Sequence, residues 1–213
     1  AHILAQAAKE LGRAEDVEYY GEVFENARRA FQNEYVTPNG LVASDTQTSY
    51  VLALHFNLLP ESMKTRAVER LVANIERYKD HITTGFLGTP YICNVLTDNG
   101  RSDVAYRLLL QKTCPGWLYP VSLGATSIWE LWDSMNKDGS IPNNGMNSFN
   151  HYAYGAIGDW LYRSAVGIRE TSPGYKTFSV EPHVGGGFTR MSASTISPYG
   201  RISVKWTASE DRL

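Results

Sequence analysis

From its first residue to about residue 165, the chain carries apolar side chains at the spacing of amphipathic helices. Val17, Tyr20 and Phe24 recur roughly every 3.6 residues, which predicts a helix over residues 14–35. Turns rich in proline, glycine and asparagine separate one apolar stripe from the next. The chain begins within a helix already under way, and the same pattern predicts helices at residues 45–58, 61–80, 91–97, 101–111, 125–134 and 149–164.

The pattern changes towards the C-terminal end. Residues 175–180, 191–196 and 201–206 alternate apolar and polar side chains, which is the period of a half-buried strand. A Pro-Tyr-Gly turn signal at residues 198–200 separates the last two. We therefore expect a small antiparallel, β-sandwich-like segment at this end of the chain.

The predicted helices show no sequence repeat of fixed length, which disfavours a solenoid. Long helices paired by short loops, with glycine and aromatic residues between the pairs, favour an α/α toroid. We predict a mainly α chain, with part of an (α/α)6-type barrel over residues 1–170 and short strands over residues 171–213. Ala1 is not an initiator methionine and no signal peptide follows it. We expect a chain that begins inside a larger protein.

Composition excludes several classes of protein. The 22 acidic and 20 basic residues give a net charge of -2 without any cluster of lysine and arginine, so neither nucleic acid nor a membrane is an expected partner. Hydrophobic residues make up 43% of the chain, too many for a disordered one. Cys93 and Cys114 lack the spacing of metal ligands, and we expect neither a metal nor an organic cofactor. Few cysteines and no export signal favour the cytoplasm, although a missing N-terminus would leave the localisation open.

The first of three segments with candidate chemistry is the predicted helix at residues 149–164. It has no face of lysine or glutamate, and glycines and aromatic residues take that place. A helix without a solvated face is buried on all sides, with Tyr152 on its broad apolar face. His151 is then either a core histidine with satisfied hydrogen bonds or a residue that lines a cavity.

The second segment is Ile-Trp-Glu-Leu-Trp-Asp at residues 128–133. On a helix the two tryptophans share one side, and Glu130 and Asp133 point to the other. The acids are either the solvated edge of an amphipathic helix or carboxylates at a pocket rimmed by aromatic rings. Indole rings stack on sugars and carboxylates accept hydrogen bonds from hydroxyl groups, so the second alternative predicts a sugar site.

The third segment is Thr-Thr-Gly-Phe-Leu-Gly-Thr-Pro at residues 83–90. It is either a plain connector between helices or the mouth of a cavity, with Phe86 as one wall. It lacks the Lys-Ser or Lys-Thr ending of a phosphate-binding loop, which excludes nucleotide binding through that motif. A Ser-His-Asp hydrolase is also unsupported, because the chain has no GxSxG motif.

Taken together, the motifs at residues 83–89, 124–133 and 147–156 and the strand-rich tail resemble the bacterial α-L-rhamnosidases. That family consists of inverting glycoside hydrolases with an (α/α)6 barrel and flanking β-sandwich domains. The resemblance implies hydrolysis of terminal non-reducing α-L-rhamnose from rhamnosides. The implied partner is a rhamnose-containing glycoside or oligosaccharide.

The resemblance also implies site residues. Glu130 matches the general base, which takes a proton from the water that attacks the anomeric carbon, and His151 matches a histidine that contacts the substrate. Trp117 and Phe86 match aromatic positions near the sugar. Inversion requires two carboxyl groups about 6.5–9.5 Å apart, and no counterpart of the family's general acid occurs within residues 1–40.

We therefore expect the C-terminal part of a rhamnosidase, inactive by itself because it lacks the general acid. Asp45, Asp98 and Asp133 are residual candidates for that acid, and the sequence does not rank them. Two alternatives stay open. One is another six-hairpin glycosidase or a phosphorylase, and the other is a non-catalytic carbohydrate-binding module.

An incomplete toroid has a consequence for its surface. The helices at the open edge are expected to expose apolar side chains, with Ile3, Leu4 and Leu11 foremost. Exposed apolar patches of this kind drive association. Self-association is therefore an expected property of the chain.

Overall fold

The computed structural model describes residues 1–142 and 145–208. The chain is mainly helical up to residue 166, as predicted, and short strands follow. A 3₁₀ turn at Ala153–Ala156 leads into the last α-helix, and a π-helical turn at Leu161–Val166 continues it. The α-helices are α1 (His2–Glu10), α2 (Ala14–Tyr35), α3 (Gln47–His55), α4 (Glu61–Arg77), α5 (Thr89–Asp98), α6 (Ser102–Leu109), α7 (Leu118–Ser122) and α8 (Ile157–Trp160).

Two helical hairpins, α3–α4 and α5–α6, enclose most of the core. Helix α4 buries Val68, Leu71 and Ile75, which recur at the spacing of one helix face. Each such side chain contributes about 1.5–3 kcal/mol when fully buried. Helix α3 begins with a capping box, in which Thr46 Oγ1 accepts from the backbone N–H of Ser49 at 3.2 Å and Ser49 Oγ accepts from that of Thr46 at 3.1 Å.

Helices α1 and α2 pair with one another and contribute little to the core. No residue of α2 is fully buried, although Phe31 packs partly buried against the core. Ile3, Leu4 and Leu11 are 77%, 50% and 71% exposed, which confirms the predicted apolar surface. No helix in the described part of the chain combines the length and apolar composition needed to cross a bilayer.

The helix predicted over residues 125–134 is wrong, because this segment consists of bends and turns without a helix. Its backbone pairs with a later stretch of chain. The N–H of Glu130 donates to the carbonyl of Ser148 at 2.9 Å, and the N–H of His151 donates to that of Ile128 at 2.8 Å. Since these groups are used across the pair, they are not available for the i to i−4 bonds of a helix.

The helix predicted to contain His151 starts later than expected. Its first turn begins at Ala153, so the histidine precedes the helix. In a helix over residues 149–164, the carbonyl of Phe149 would accept from the backbone N–H of Ala153. It accepts instead from the hydroxyl of Ser127. Tyr152 is 88% exposed, so the prediction of a helix buried on all sides is also wrong.

Strands form two separate antiparallel pairs in the tail. The strands predicted over residues 191–196 and 201–206 and the turn between them are confirmed. The strand predicted over residues 175–180 forms only over its last three residues, after a 3₁₀ turn at Pro173–Tyr175. β1 (Ile168–Glu170) pairs with β2 (Phe178–Val180), and β3 (Arg190–Ser197) pairs with β4 (Gly200–Thr207).

The tail is held tightly against the helices. Gly167 has a φ of 89°, and a Cβ there would lie 2.4 Å from the backbone nitrogen of Pro182, so only glycine fits. The indole N–H of Trp206 donates to the carbonyl of Ala165 at 3.0 Å. These contacts fix the C-terminal end of the helical segment whose first turn follows His151.

Candidate active site

Three segments meet at the N-terminal ends of α5 and of the 3₁₀ turn before α8. The loop over residues 83–88, which we call the Thr83–Gly88 loop, leads into α5 and carries Phe86. The paired segments at residues 128–130 and 148–151 carry Glu130 and His151. Each side chain is thus held on backbone that is anchored on both sides.

The rings at this place form a continuous array. Phe86 stacks on His151 with centroids 4.7 Å apart and lies 5.3 Å from Tyr154. Tyr154 stacks in turn on Trp132 at 3.9 Å, with 6° between the planes. Trp117 meets Trp132 edge-on at 5.5 Å. This aromatic array (Phe86, His151, Tyr154, Trp132 and Trp117) brings together three of the four site residues that the sequence analysis named.

Hydrogen bonds lock the deeper rings of the array. The indole N–H of Trp117 donates to the carbonyl of Tyr154 at 2.9 Å, and that of Trp132 donates to the carbonyl of Thr84 at 3.1 Å. Trp117 is 8% exposed, whereas Phe86 is 43% exposed. Trp117 is therefore a supporting wall of the array, and Phe86 is its open face.

His151 is oriented by the turn that follows it. Its Nδ1 accepts from the backbone N–H of Ala153 at 3.3 Å. A ring nitrogen that accepts carries no proton, so the neutral imidazole has its proton on Nε2. No described residue is hydrogen-bonded to Nε2. His151 therefore presents a free N–H donor to a ligand oxygen.

Glu130 lies beside the array as a half-buried carboxylate. No hydrogen bond or ion pair among residues 1–142 and 145–208 engages its carboxylate oxygens. Burial, followed by the negative charges of Asp133 and Glu130, raises the pKa of Tyr154. Both carboxylates therefore act on the same phenol, and that of Glu130 is available to a water molecule or a sugar hydroxyl.

Two other acids named as candidates are engaged elsewhere. Asp45 accepts from the hydroxyl of Tyr50 at 2.6 Å and lies 3.6 Å from Arg77. Asp98 accepts from Arg169 at 2.8 Å at the C-terminal end of α5. That end is about 14 Å from the N-terminal end of the helix, given a rise of ~1.5 Å per residue. Both carboxylates serve structural contacts.

A cavity of about 250 Å³ lies between α7 and the Glu130 segment. Its walls are mostly apolar and include Trp117, Trp129, Trp132 and Tyr154, but not Glu130. The two tryptophans that flank Glu130 in sequence thus line the cavity, whereas Glu130 is not part of its wall. Trp132 belongs to the array, while Trp129 packs edge-on against Phe149.

Sequence reasoning missed Tyr154 as a member of the array. Tyr154 follows His151 by three residues, and this spacing places two residues on one side of a helical turn. That spacing was the available signal. Trp132 was expected at the rim of a sugar pocket, but its stack on Tyr154, which is 22 positions away in the sequence, exists only after folding.

The described residues contain no group of three or more histidine, cysteine, aspartate or glutamate side chains that could hold a metal ion. The chemistry available at this place is that of one free carboxylate, one imidazole N–H donor and several aromatic faces. Such groups suit a polyhydroxylated ligand with apolar C–H surfaces.

Comparisons with known proteins agree on one family. Residues 1–165 match the family model described as the bacterial α-L-rhamnosidase six-hairpin glycosidase domain, and residues 167–213 match the bacterial α-L-rhamnosidase C-terminal domain. An α-L-rhamnosidase of Streptomyces avermitilis is 46% identical over 206 residues, which are 97% of this chain and 20% of that protein. One from Formosa agariphila is 40% identical over 215 residues, covering 100% of this chain and 23% of that protein.

Solved structures give the same result. The S. avermitilis α-L-rhamnosidase complexed with L-rhamnose superposes with a TM-score of 0.93 over 97% of this chain and 20% of its own. The native enzyme from Aspergillus terreus, 37% identical, gives a TM-score of 0.95 over 97% of this chain and 24% of its own. The chain thus spans about a fifth to a quarter of the length of these relatives.

Proposed function

The chain belongs to the bacterial α-L-rhamnosidase family, and from that premise we propose that it forms the general-base side of a site that hydrolyses terminal non-reducing α-L-rhamnosides with inversion. The observation that carries the proposal is the pairing of residues 128–130 with 148–151. Glu130, whose carboxylate has no hydrogen-bond partner among the described residues, and His151, whose Nδ1 is engaged with Ala153, both lie on this paired backbone. The S. avermitilis relative, whose structure contains L-rhamnose, supports the choice of sugar.

Glu130 acts on water in the proposed reaction. Its ionised carboxylate accepts a proton from a water molecule, whose oxygen then bonds to the anomeric carbon. The bond from that carbon to the leaving oxygen breaks on the opposite face, which inverts the configuration, and a general acid donates the proton that the leaving oxygen takes up. A base of this kind must be ionised at the working pH. Glu130 is partly exposed, and no hydrogen bond or ion pair among the described residues engages its carboxylate.

His151 and Phe86 hold the sugar in this proposal. The Nε2–H of His151 donates to a sugar hydroxyl, because Nδ1 is already engaged with the backbone of Ala153. The exposed face of Phe86 covers C–H groups, and L-rhamnose, a 6-deoxy sugar, presents a methyl group as well. Trp117 contributes from behind by holding Trp132 in the array.

The general acid is proposed to come from outside residues 1–213. Asp45 and Asp98 are engaged in structural contacts. Asp133 is three residues from Glu130 in the same segment, and the negative charges of both raise the pKa of Tyr154. The relatives are four to five times longer than the matched region, which leaves room for such a residue elsewhere in them. The 213 residues alone are then inactive, and measurable rhamnoside turnover by them would contradict this.

The decisive experiment compares Glu130→Gln with the unchanged protein in its longest natural form, on a chromogenic α-L-rhamnoside. Loss of a general base lowers kcat by about 10²–10⁴, and binding of L-rhamnose should persist. Proton NMR of the first product should show the β-anomer. Glu34→Gln, an exposed change on α2, is the matched control and should leave kcat unaltered.

Each result has a distinct meaning. Full activity of Glu130→Gln would remove Glu130 from the chemistry, and an α-anomeric first product would exclude inversion. Inactivity on the rhamnoside together with cleavage of glucosides, or cleavage that depends on phosphate, would support another six-hairpin glycosidase or a phosphorylase. Sugar binding without hydrolysis of any glycoside would support a binding module.

A further inference from the structure

Gln47, the first residue of α3, is a fully buried amide that reaches a distant loop. Its exposed fraction is 0%. Its Nε2 donates to the carbonyl of His81 at 3.0 Å, and its Oε1 accepts from the N–H of Thr83 at 2.9 Å. The two contacts lie 34 and 36 residues further along the chain. A buried amide with both ends paired defines one backbone geometry at the start of the Thr83–Gly88 loop.

We infer that Gln47 is a positioning residue of the site, which holds the Thr83–Gly88 loop so that Phe86 stays stacked on His151. The inference deepens the proposed function and rests on it for its effect on catalysis. The placement itself rests on contacts alone. Gln47 touches neither Phe86 nor His151 through a hydrogen bond, and it acts through the backbone of the loop.

The rest of the loop transmits this constraint. The hydroxyl groups of Thr84 and Thr89 are 2.7 Å apart, and the carbonyl of Thr84 accepts from the indole of Trp132. Gly88 has no room for a side chain, because a Cβ would lie 2.8 Å from Thr84 Cγ2 and 3.0 Å from Thr48 Oγ1. The loop is therefore braced against α3 at its start and at its end.

Phe86 depends on this bracing more than a core residue would. Its ring is 43% exposed, so packing on its outer side does not hold it. Its described ring contacts are those with His151 and Tyr154. The backbone of the loop therefore decides where the ring lies, and small displacements of groups that bind substrate lower rates steeply.

A merely structural role for Gln47 predicts a different outcome from a positioning role. Removing the amide leaves the His81 carbonyl and the Thr83 N–H without partners, which lowers stability in either case. Only if Gln47 positions the loop will removal of its amide also move the Phe86 ring relative to His151. The test must therefore observe the ring contact directly.

The test compares Gln47→Met with Gln32→Met in the longest natural form of the protein, labelled with ¹³C-histidine. Gln32 is a matched control, because its Nε2 also donates to a distant carbonyl, that of Leu58 at 2.9 Å, away from the loop. The ring current of Phe86 shifts the NMR resonances of His151. The variant His151→Gln identifies these resonances by their loss. The variant Phe86→Ala shows how far they move when the Phe86 ring is absent. Gln47→Met should displace them in the same direction, and Gln32→Met should not.

Kinetics supply the second arm. Gln47→Met should lower kcat/KM for a rhamnoside by about tenfold to a hundredfold. The same change in a Phe86→Ala background should have little further effect, because the ring that Gln47 positions is then absent. If Gln47→Met fails to fold, Gln47→Asn keeps a polar amide that is too short to reach both partners and should give the same spectral shift.

Two results would overturn the inference. One is that the His151 resonances are unchanged in Gln47→Met. The other is that Gln47→Met lowers kcat/KM by the same factor whether Phe86 is present or replaced by alanine. Inactivity of the unchanged protein on every rhamnoside would overturn the proposed function instead. The histidine spectra would still decide whether Gln47 positions Phe86.

Discussion

The two helical hairpins of residues 47–109, the hairpin region, are held in a different way from residues 125–142 and 145–156, the site segment. The hairpin region is stabilised by apolar stripes such as Leu71 and Ile75, with backbone bonds made within each helix. The site segment is stabilised by bonds between residues about twenty positions apart. Glu130 with Ser148 is the central pair.

The difference bears on the two polar groups of the candidate site. In the hairpin region a buried side chain such as Gln47 makes the long-range bonds itself, to the backbone of the loop before α5. In the site segment the backbone supplies the hydrogen bonds, so the carboxylate of Glu130 and the Nε2 of His151 need no protein partner. A ligand can therefore use them.

The largest effect is expected from the hairpin region. Leu71→Ala deletes a fully buried side chain and should lower the free energy of unfolding by about 2–5 kcal/mol. Thermal or denaturant unfolding measures this. The kcat of the protein that remains folded should be unchanged, because Leu71 lies on α4, which carries none of the candidate site residues. Leu11→Ala, at a position 71% exposed, is the control and should stay within about 0.5 kcal/mol.

An intermediate effect is expected from the site segment. Ser134 is 1% exposed, and its hydroxyl accepts from the N–H of Leu131 and donates to Asn147 Oδ1 at 2.7 Å. Ser134→Ala should cost about 1 kcal/mol. Because this hydroxyl joins the two halves of the site segment, Ser134→Ala should also lower kcat/KM by about twofold to tenfold. A factor of ten corresponds to about 1.4 kcal/mol of lost transition-state stabilisation.

Ser164 provides the matched control for that substitution. Its side chain is fully buried and its hydroxyl has no hydrogen-bond partner among the described residues. Ser164→Ala should therefore be neutral or slightly stabilising, with kcat/KM unchanged. Equal losses of activity in Ser134→Ala and Ser164→Ala would mean that buried hydroxyl groups in general matter, and would remove the special role of the site segment.

The smallest effect concerns a histidine of the hairpin region. Burial lowers the pKa of His55 from 6.5, with the charge of Asp98 opposing the shift and that of Arg163 reinforcing it. The unfolded chain then binds the proton more readily, so stability present above pH 6.5 is lost as the pH falls below it. His55→Gln should reduce the loss of melting temperature on acidification. His2→Gln, at an exposed helix end, should not.

The sequence predicted the secondary structure of the hairpin region better than that of the site segment. The stripe on α4 could be read from local spacing because a helix uses its own backbone and needs only one apolar face. Residues 128–133 satisfied that spacing equally well, yet their backbone bonds to residues 148–151 instead. Local periodicity cannot register such a partner, so the predicted helix was wrong there.

The candidate site was predicted in part. Glu130, His151, Phe86 and Trp117 were named from motifs, and three of them lie in one aromatic array. Their proposed roles in catalysis remain predictions. Tyr154 was not named, and the stack of Trp132 on Tyr154 was not foreseen, because that contact joins positions 22 residues apart in the sequence.

The sequence by itself determined the helices with a clear apolar stripe, the last two strands and the family of the chain, since these depend on local spacing and on ordered motifs. Only the tertiary structure decided that Glu130 lies in a non-helical segment paired with residues 148–151 and that the Nδ1 of His151 accepts from Ala153. It also decided that Gln47 reaches the loop of Phe86. The physical reason is that these features are hydrogen bonds between distant residues, which exist only once the chain has folded around them.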